Sequence, residues 1–234
     1  MGETTGFANR DGGHLSHWGK EMRYSIELEV DEWGEIQLNG LRCAEGHVAA
    51  PGSRRLAVKR DGRSITRSVP KPVVIVDTRE QAAYSFERFD NWIADVKRRK
   101  VAAGDYSVEG MESLLAVERK SLADLIRTTI HERARFFRQC AKMAKLRWKA
   151  ILVEASYEDV KSYYDDDLQT EAHPNAVSGT LDAVEAKFGI PVIYSSRNTA
   201  LAEEKLASWL SKHFTYWHLE EKGLGRVLQD QDGL

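Results

Sequence analysis

The chain has 234 residues and a mass of 26.5 kDa, enough for one large domain or an ordinary domain with a small appendage. Its formal charge is −2 and 42% of its residues are hydrophobic, so it can bury a core, but no run approaches the roughly 18 apolar residues of a membrane span. The polar, Gly-rich N-terminus lacks the apolar stretch of a secretory signal, and Cys43 and Cys140 alone exclude a disulfide framework or a Cys-built zinc site.

These exclusions describe a soluble, intracellular protein, cytoplasmic or, if prokaryotic or viral, nucleoid-associated. The small net charge hides a polarised chain, with residues 97–149 at net +8 and residues 150–174 at net −6.

Residues 1–22 read as a disordered leader, in which His14 and His17 have no further ligand nearby. Residues 23–70 form a small β-rich segment. Ile26, Leu28 and Val30 alternate with Glu27 and Glu29, and Ile36 and Leu38 follow a turn-like Asp31-Glu32-Trp33-Gly34, which predicts a hairpin. Leu56 and Val58, then Asp61-Gly62 and Ile65, predict a second, since Asp-Gly suits a tight turn. Seven basic side chains against Asp61 within residues 54–71 fit either a solvated β surface or a phosphate-contacting face.

Pro70 and Pro72 mark a boundary. From 71 to 215 the texture alternates. Apolar, β-branched runs at 73–76, 114–117, 151–153 and 191–194 read as buried strands, and helical patterns lie near 88–99, 121–148, 174–188 and 198–213. This predicts an α/β domain with a mostly parallel central sheet flanked by helices, its working crevice beyond the carboxyl ends of the strands. Residues 216–234 read as a C-terminal tail.

Three of the strand-like runs end in an acid, Asp77, Glu118 and Glu154, and a fourth acid, Asp105, follows Gly104. Crowded carboxylates repel unless a cation sits among them, and oxygen-only donors suit Mg²⁺ or Mn²⁺. Asp105, twelve residues, then Glu118-Arg119-Lys120 has the form D-x12-E-x-K. On a strand, Glu118 and Lys120 share a face, so two acids and an ammonium can serve metal-assisted phosphodiester hydrolysis. A solvated strand end accounts for the bare pattern equally well.

Ser121 and Asp124 make a capping-box-like S-x-x-D at the start of the next helix. Residues 132–148 then predict a two-faced helix. Phe136, Phe137, Cys140, Met143 and Ala144 form its apolar stripe, with Arg135, Arg138, Lys142, Lys145 and Lys149 opposite. Five cations in a row favour a nucleic-acid backbone over the alternative of a solvated face. No phosphate-cradling Gly-rich loop is present, so no nucleotide cofactor is expected, and His173-Pro174-Asn175 reads as a helix start.

Together these residues resemble the XPF-type structure-specific endonucleases, which include the archaeal Hef nuclease. The similarity runs from about Val73 to Phe214. It is carried by Val76-Asp77-Thr78-Arg79-Glu80, Gly104-Asp105-Tyr106, Val117-Glu118-Arg119-Lys120-Ser121-Leu122-Ala123-Asp124, Arg135-Phe136-Phe137-Arg138-Gln139, Pro174-Asn175-Ala176-Val177-Ser178-Gly179 and Phe188-Gly189-Ile190-Pro191, with the signature GD…ERKxxxD intact.

The resemblance implies a restriction-endonuclease-like core that uses Mg²⁺ or Mn²⁺ to cut one strand of DNA near flap or fork junctions, in repair or recombination. It implies Asp105 and Glu118 as metal ligands, Asp77 completing the acidic site and Lys120 attending the attacking water. Arg79, Glu80 and Arg119 would orient the site or contact phosphate, with Ser121 and Asp124 supporting. The implied partners are junction-containing DNA and a second copy of the chain through the nuclease domain. Family enzymes commonly add a tandem helix-hairpin-helix domain, whereas about twenty residues follow Phe214 here. The alternative function is a non-catalytic DNA-binding scaffold that positions a partner nuclease, since fold alone does not establish activity.

Overall fold

The structure, a computed structural model, describes residues 28–30, 36–38, 59–60, 63–64, 66, 69–164 and 170–223. The expected leader, residues 224–234 of the expected tail and the turn residues of both expected hairpins lie outside the described residues. Residues 216–221 of that tail are not a tail but the last turns of a long helix, with Leu219 buried in the core. The chain divides into two compact units, Met1–Ala50 and Pro51–Leu234. In the first, β1 (Leu28–Val30) pairs antiparallel with β2 (Ile36–Leu38), Leu28 facing Leu38 across the ladder. The second opens with β3 (Lys59–Arg60) and β4 (Arg63–Ser64), paired so that two residues, Asp61-Gly62, connect them.

The rest of this unit is built on a six-stranded sheet. Its strands are β5 (Val73–Val76), β6 (Asp95–Arg98), β7 (Tyr106–Val108), β8 (Leu115–Ser121), β9 (Trp148–Glu154) and β10 (Val192–Tyr194), in the order β10-β9-β8-β7-β5-β6. Five strands run in one direction and only β7 opposes its neighbours β5 and β8. The sheet is therefore mixed but mostly parallel, with helices on its faces, as the alternating sequence texture predicts. The reversal of β7 matters for the site, because its first residue, Tyr106, lies between Val76 at the carboxyl end of β5 and Val117 within β8.

Two apolar layers cover the sheet. On one face lie α1 (Leu122–Ile130), α2 (Arg133–Met143), α3 (Tyr157–Lys161) and α4 (Pro174–Phe188), which meet Ile151 and Val153 through Leu125, Phe136, Cys140, Met143, Val177 and Leu181. The other face is covered by α5 (Thr199–Glu221), whose Ala202, Leu206, Leu210 and Phe214 recur every four residues and pack with Val74, Tyr106, Val117 and Leu152. Val69 joins this second layer, so its packing begins just before the Pro70 boundary. No helix among the described residues is long and apolar enough to cross a membrane.

Sequence signals at the helix ends correspond to physical caps. Ser121 Oγ accepts from Asp124 N–H at the start of α1, and His173 Nδ1 accepts from Asn175 N–H at the start of α4, with Pro174 in its first turn. Gly189, in the left-handed region at φ 60°, ends α4.

Two helical expectations need correction. The segment 88–99 is not a helix but a 3-10 turn, Glu87–Phe89, followed by β6. Phe89, Trp92 and Ile93, spaced like a helix face, are buried through that turn, and the charged β6 then forms the edge of the sheet. The segment 121–148 is not one helix either: α1 and α2 are separate, and α2 stops at Met143. Lys149 Nζ lies behind that end and donates to the carbonyls of Ala144 and Leu146 at 3.2 and 3.0 Å, satisfying oxygens that a longer helix would have paired.

Candidate active site

Strand register brings three acids into one row. Val76 faces Tyr106 and Tyr106 faces Val117, so the following or preceding residues Asp77, Asp105 and Glu118 lie side by side at one edge of the sheet. Backbone hydrogen bonds fix the row, with Asp77 N–H donating to Asp105 O and Asp105 N–H to Val117 O, both at 2.8 Å. Gly104 makes the approach possible. At φ 74° it is left-handed, and a Cβ there would stand 3.0 Å from both Ala116 Cβ and Val117 O, so only glycine delivers Asp105 this close to β8.

Asp105, Glu118 and Lys120 open into one cavity of about 370 Å³, whose lining also includes Arg79, Arg127, Glu132, Arg135, Arg138, Gln139 and Lys142. Glu118, only 2% exposed, accepts from Lys120 Nζ at 2.7 Å on Oε1 and from Gln139 Nε2 on Oε2. Asp105 Oδ2 accepts from Arg119 N–H at 2.8 Å, and among the described residues Oδ1 accepts from no protein donor. Burial and the repulsion of Glu118 together hold the Asp105 carboxyl above the ordinary carboxylate range. Burial disfavours the Lys120 ammonium, but the Glu118 carboxylate more than compensates and keeps its pKa raised, so Lys120 is a cationic donor at neutral pH.

Asp77 shares the row but not the cavity. Its Oδ1 accepts from Arg79 N–H at 2.8 Å and Nε at 2.6 Å, while Oδ2 accepts from Val101 N–H at 2.8 Å and Arg79 Nη2 at 3.2 Å. Burial pushes its carboxyl up, but these donors outweigh it and bring it down to about 2. Asp77 thus ties down the loop after β5 and hands Arg79 to the cavity wall.

The remaining expected residues divide. Arg79, Arg135, Arg138 and Lys142 line the cavity. Arg119 does not, because alternation on β8 sends it to the opposite face. There its guanidinium lies 4.9 Å from the Tyr84 ring centre and 3.7 Å from Glu154, whose carboxylate also accepts from Tyr84 Oη. Glu154, at the end of β9, belongs to this far-face network rather than to the acidic row. Lys149 is spent on the end of α2, and Lys145 follows the helix in a turn outside the cavity lining. Glu80 accepts from Ala82 N–H through its side chain, and Asp124 pairs with Arg127 at 2.7 Å.

Gln139, Arg127 and Glu132 are cavity residues to which sequence reasoning assigned no role. Gln139 stands within the quoted Arg135–Gln139 motif, one turn after Arg135, but its partner Glu118 lies 21 residues away and only the packing of α2 against β8 joins them.

This arrangement is matched at the level of family. A sequence profile described as the ERCC4 domain matches residues 76–206, more than half of the chain. The chain belongs to the ERCC4 domain family. It is a family of DNA nucleases, and the matched stretch contains the whole acidic row, the cavity and the XPF-type motifs. Comparison with curated proteins finds no match.

Among solved structures the ERCC4 chain is similar to XPF from Aeropyrum pernix, at 22% identity and a TM-score of 0.45, over 59% of this chain and 61% of that one. It is similar also to XPF from Aeropyrum pernix in complex with DNA, again at 22% identity and a TM-score of 0.45, over 61% and 66% of the two chains. The match therefore spans less than two thirds of either relative.

Proposed function

We propose that this ERCC4 protein is a Mg²⁺- or Mn²⁺-dependent endonuclease that hydrolyses DNA phosphodiester bonds at junctions of duplex and single strand, acting in repair or recombination. The observation that carries the reading is the cavity itself: two carboxylates and an ammonium, from β8 and the residue just before β7, line it together with arginine and lysine side chains.

The donor set suits a divalent ion. Among the described residues no three His, Cys, Asp or Glu side chains form a closed metal cage. Mg²⁺ typically takes only one or two carboxylates and completes its shell with water and substrate phosphate. Asp105 and Glu118 would hold it, and the raised pKa of Asp105 marks a place where added positive charge is favourable. When bound, such an ion lowers the pKa of water and neutralises charge developing on phosphorus oxygens.

The chain's own groups supply the rest. Lys120, kept protonated by Glu118, donates to the attacking water's oxygen or to a non-bridging phosphate oxygen. Gln139 holds the second oxygen of Glu118 and so fixes that carboxylate's orientation. Arg79, steadied by Asp77, and Arg138 and Lys142 on α2 hold the phosphate backbone across the cavity mouth. In this reading Asp77 and Arg119 are positioning residues. Asp77 anchors Arg79, and Arg119 donates its backbone N–H to Asp105 while its side chain clamps the far face of β8.

Cleavage of a labelled flap duplex is expected with Mg²⁺ or Mn²⁺ and not with chelator. Asp105→Asn and Lys120→Ala are each expected to lose about 10³-fold or more in rate while retaining DNA binding. Cutting by purified Asp105→Asn protein at the parent rate would refute the site. DNA binding by the parent without cutting of any flap, fork, nicked or linear duplex would favour a scaffold role instead.

A further inference from the structure

Glu132 occupies the N-cap of α2, yet its side chain does not cap the helix. Glutamate is not among the short side chains that usually cap a helix, so this carboxylate is left available to other partners. The carboxylate turns instead to two guanidiniums from different elements. Oε2 accepts from Arg135 Nη1 on α2 at 2.9 Å, and Oε1 lies 3.9 Å from Nε of Arg127 on α1, whose Nη2 donates to Asp124 at 2.7 Å and leaves the Nε edge toward Glu132. All three side chains line the cavity that holds Asp105, Glu118 and Lys120. Arg138 and Lys142 on the same wall have no acidic partner among the described residues.

Two of the wall's cations are therefore occupied by an anion that the chain itself supplies. A carboxylate shared by two guanidiniums offers a pair of oxygens and a single negative charge, much as a phosphodiester does. The arginine side chains are 64% and 76% exposed, and ion pairs so open to water are weak, so an incoming phosphate displaces the carboxylate at little cost.

We propose that Arg127 and Arg135 form a phosphate subsite of the cavity, and that Glu132 is its built-in occupant, expelled when a DNA backbone phosphate takes the seat. The inference rests on the nuclease reading above. It adds a residue that opposes binding: Glu132 holds down affinity for DNA in general and favours substrates with enough other contacts to displace it.

The test is binding of the full chain to a fluorescently labelled flap duplex, in chelator so that nothing is cut, between 50 and 200 mM salt. Glu132→Gln is expected to bind roughly three- to eightfold tighter near 0.1 M salt, with a salt dependence steeper by about one phosphate contact. Arg127→Ala added to Glu132→Gln is expected to abolish the gain. Glu158→Gln, which removes one exposed carboxylate on α3 outside the cavity lining, is expected to change nothing. If Glu132→Gln does not fold, Glu132→Asp decides, because its shorter arm cannot serve both guanidiniums and is expected to give part of the gain. No tightening in the folded variant, an equal gain in Glu158→Gln, or a gain that survives loss of Arg127 overturns the subsite alone. Failure of the parent itself to bind the duplex at 50 mM salt overturns the nucleic-acid reading and the subsite with it.

Discussion

Burying a carboxylate as deeply as Glu118 costs several kcal/mol unless donors surround it, and Lys120 and Gln139 are those donors. Lys120 was legible as a partner because i and i+2 on a strand share a face. Gln139 was not, since nothing in a linear spacing of 21 residues announces a contact made by packing. Outer partners of metal ligands commonly tune affinity 10- to 100-fold. Gln139→Ala is therefore expected to raise the metal concentration needed for half-maximal cleavage by about 10-fold or more, with the rate at saturating metal falling less. A metal titration of cleavage checks this, and an unchanged midpoint would remove Gln139 from the site. The same alternation that joins Glu118 to Lys120 excludes Arg119 from the cavity, so a motif read as consecutive letters splits between two faces of the sheet.

At the scale of elements, the cationic row on residues 135–149 shows how a pattern can outrun its helix. Arg135, Arg138 and Lys142 fall together because α2 continues through Met143. Lys145 and Lys149 fit the same period on paper, but the helix has ended, and Lys149 closes that end as a cap from β9. Arg138→Ala is accordingly expected to weaken DNA binding about 3- to 10-fold and to reduce the salt slope by about one. Lys149→Ala is expected to leave both unchanged while lowering stability by about 1 kcal/mol, as read by urea unfolding. Equal binding losses in the two variants would mean that the row acts as a continuous surface after all. The run at 88–99 failed in the opposite sense. Its 3-to-4 spacing of large apolar groups was met by a single 3-10 turn, and an exposed, charged edge strand carries no period-2 burial to betray it.

For the whole molecule, the sheet's topology gathers residues from three neighbouring strands, β5, β7 and β8, and Asp77 shows what holds that assembly together. Its carboxyl lies near 2, against an ordinary 3.8, because bonds from Arg79 and Val101 outweigh burial. A depressed carboxyl stabilises the fold above its unfolded value and loses that contribution as pH falls toward 2. The exposed Arg79 partner weakens the effect, leaving about 2 kcal/mol. Asp77→Asn is thus expected to be less stable than the parent by about that amount at pH 7, with the gap closing between pH 4 and pH 2. Parallel unfolding curves at all pH values would show that the loop does not depend on this anchor.

The amino-acid sequence by itself determined the α/β texture, the caps of α1 and α4, and the shared face of Glu118 and Lys120, because propensity, period and strand alternation act over a few neighbouring residues. It also carried the family, through motifs whose order survives in the linear text. Only the tertiary structure decided that β7 runs backwards, that Asp77 anchors rather than opens into the cavity, and that Gln139, Arg127 and Glu132 belong to its wall. Those outcomes depend on which strands pair and which helix packs over them, and such long-range choices are made by burial of the whole core rather than by any one segment.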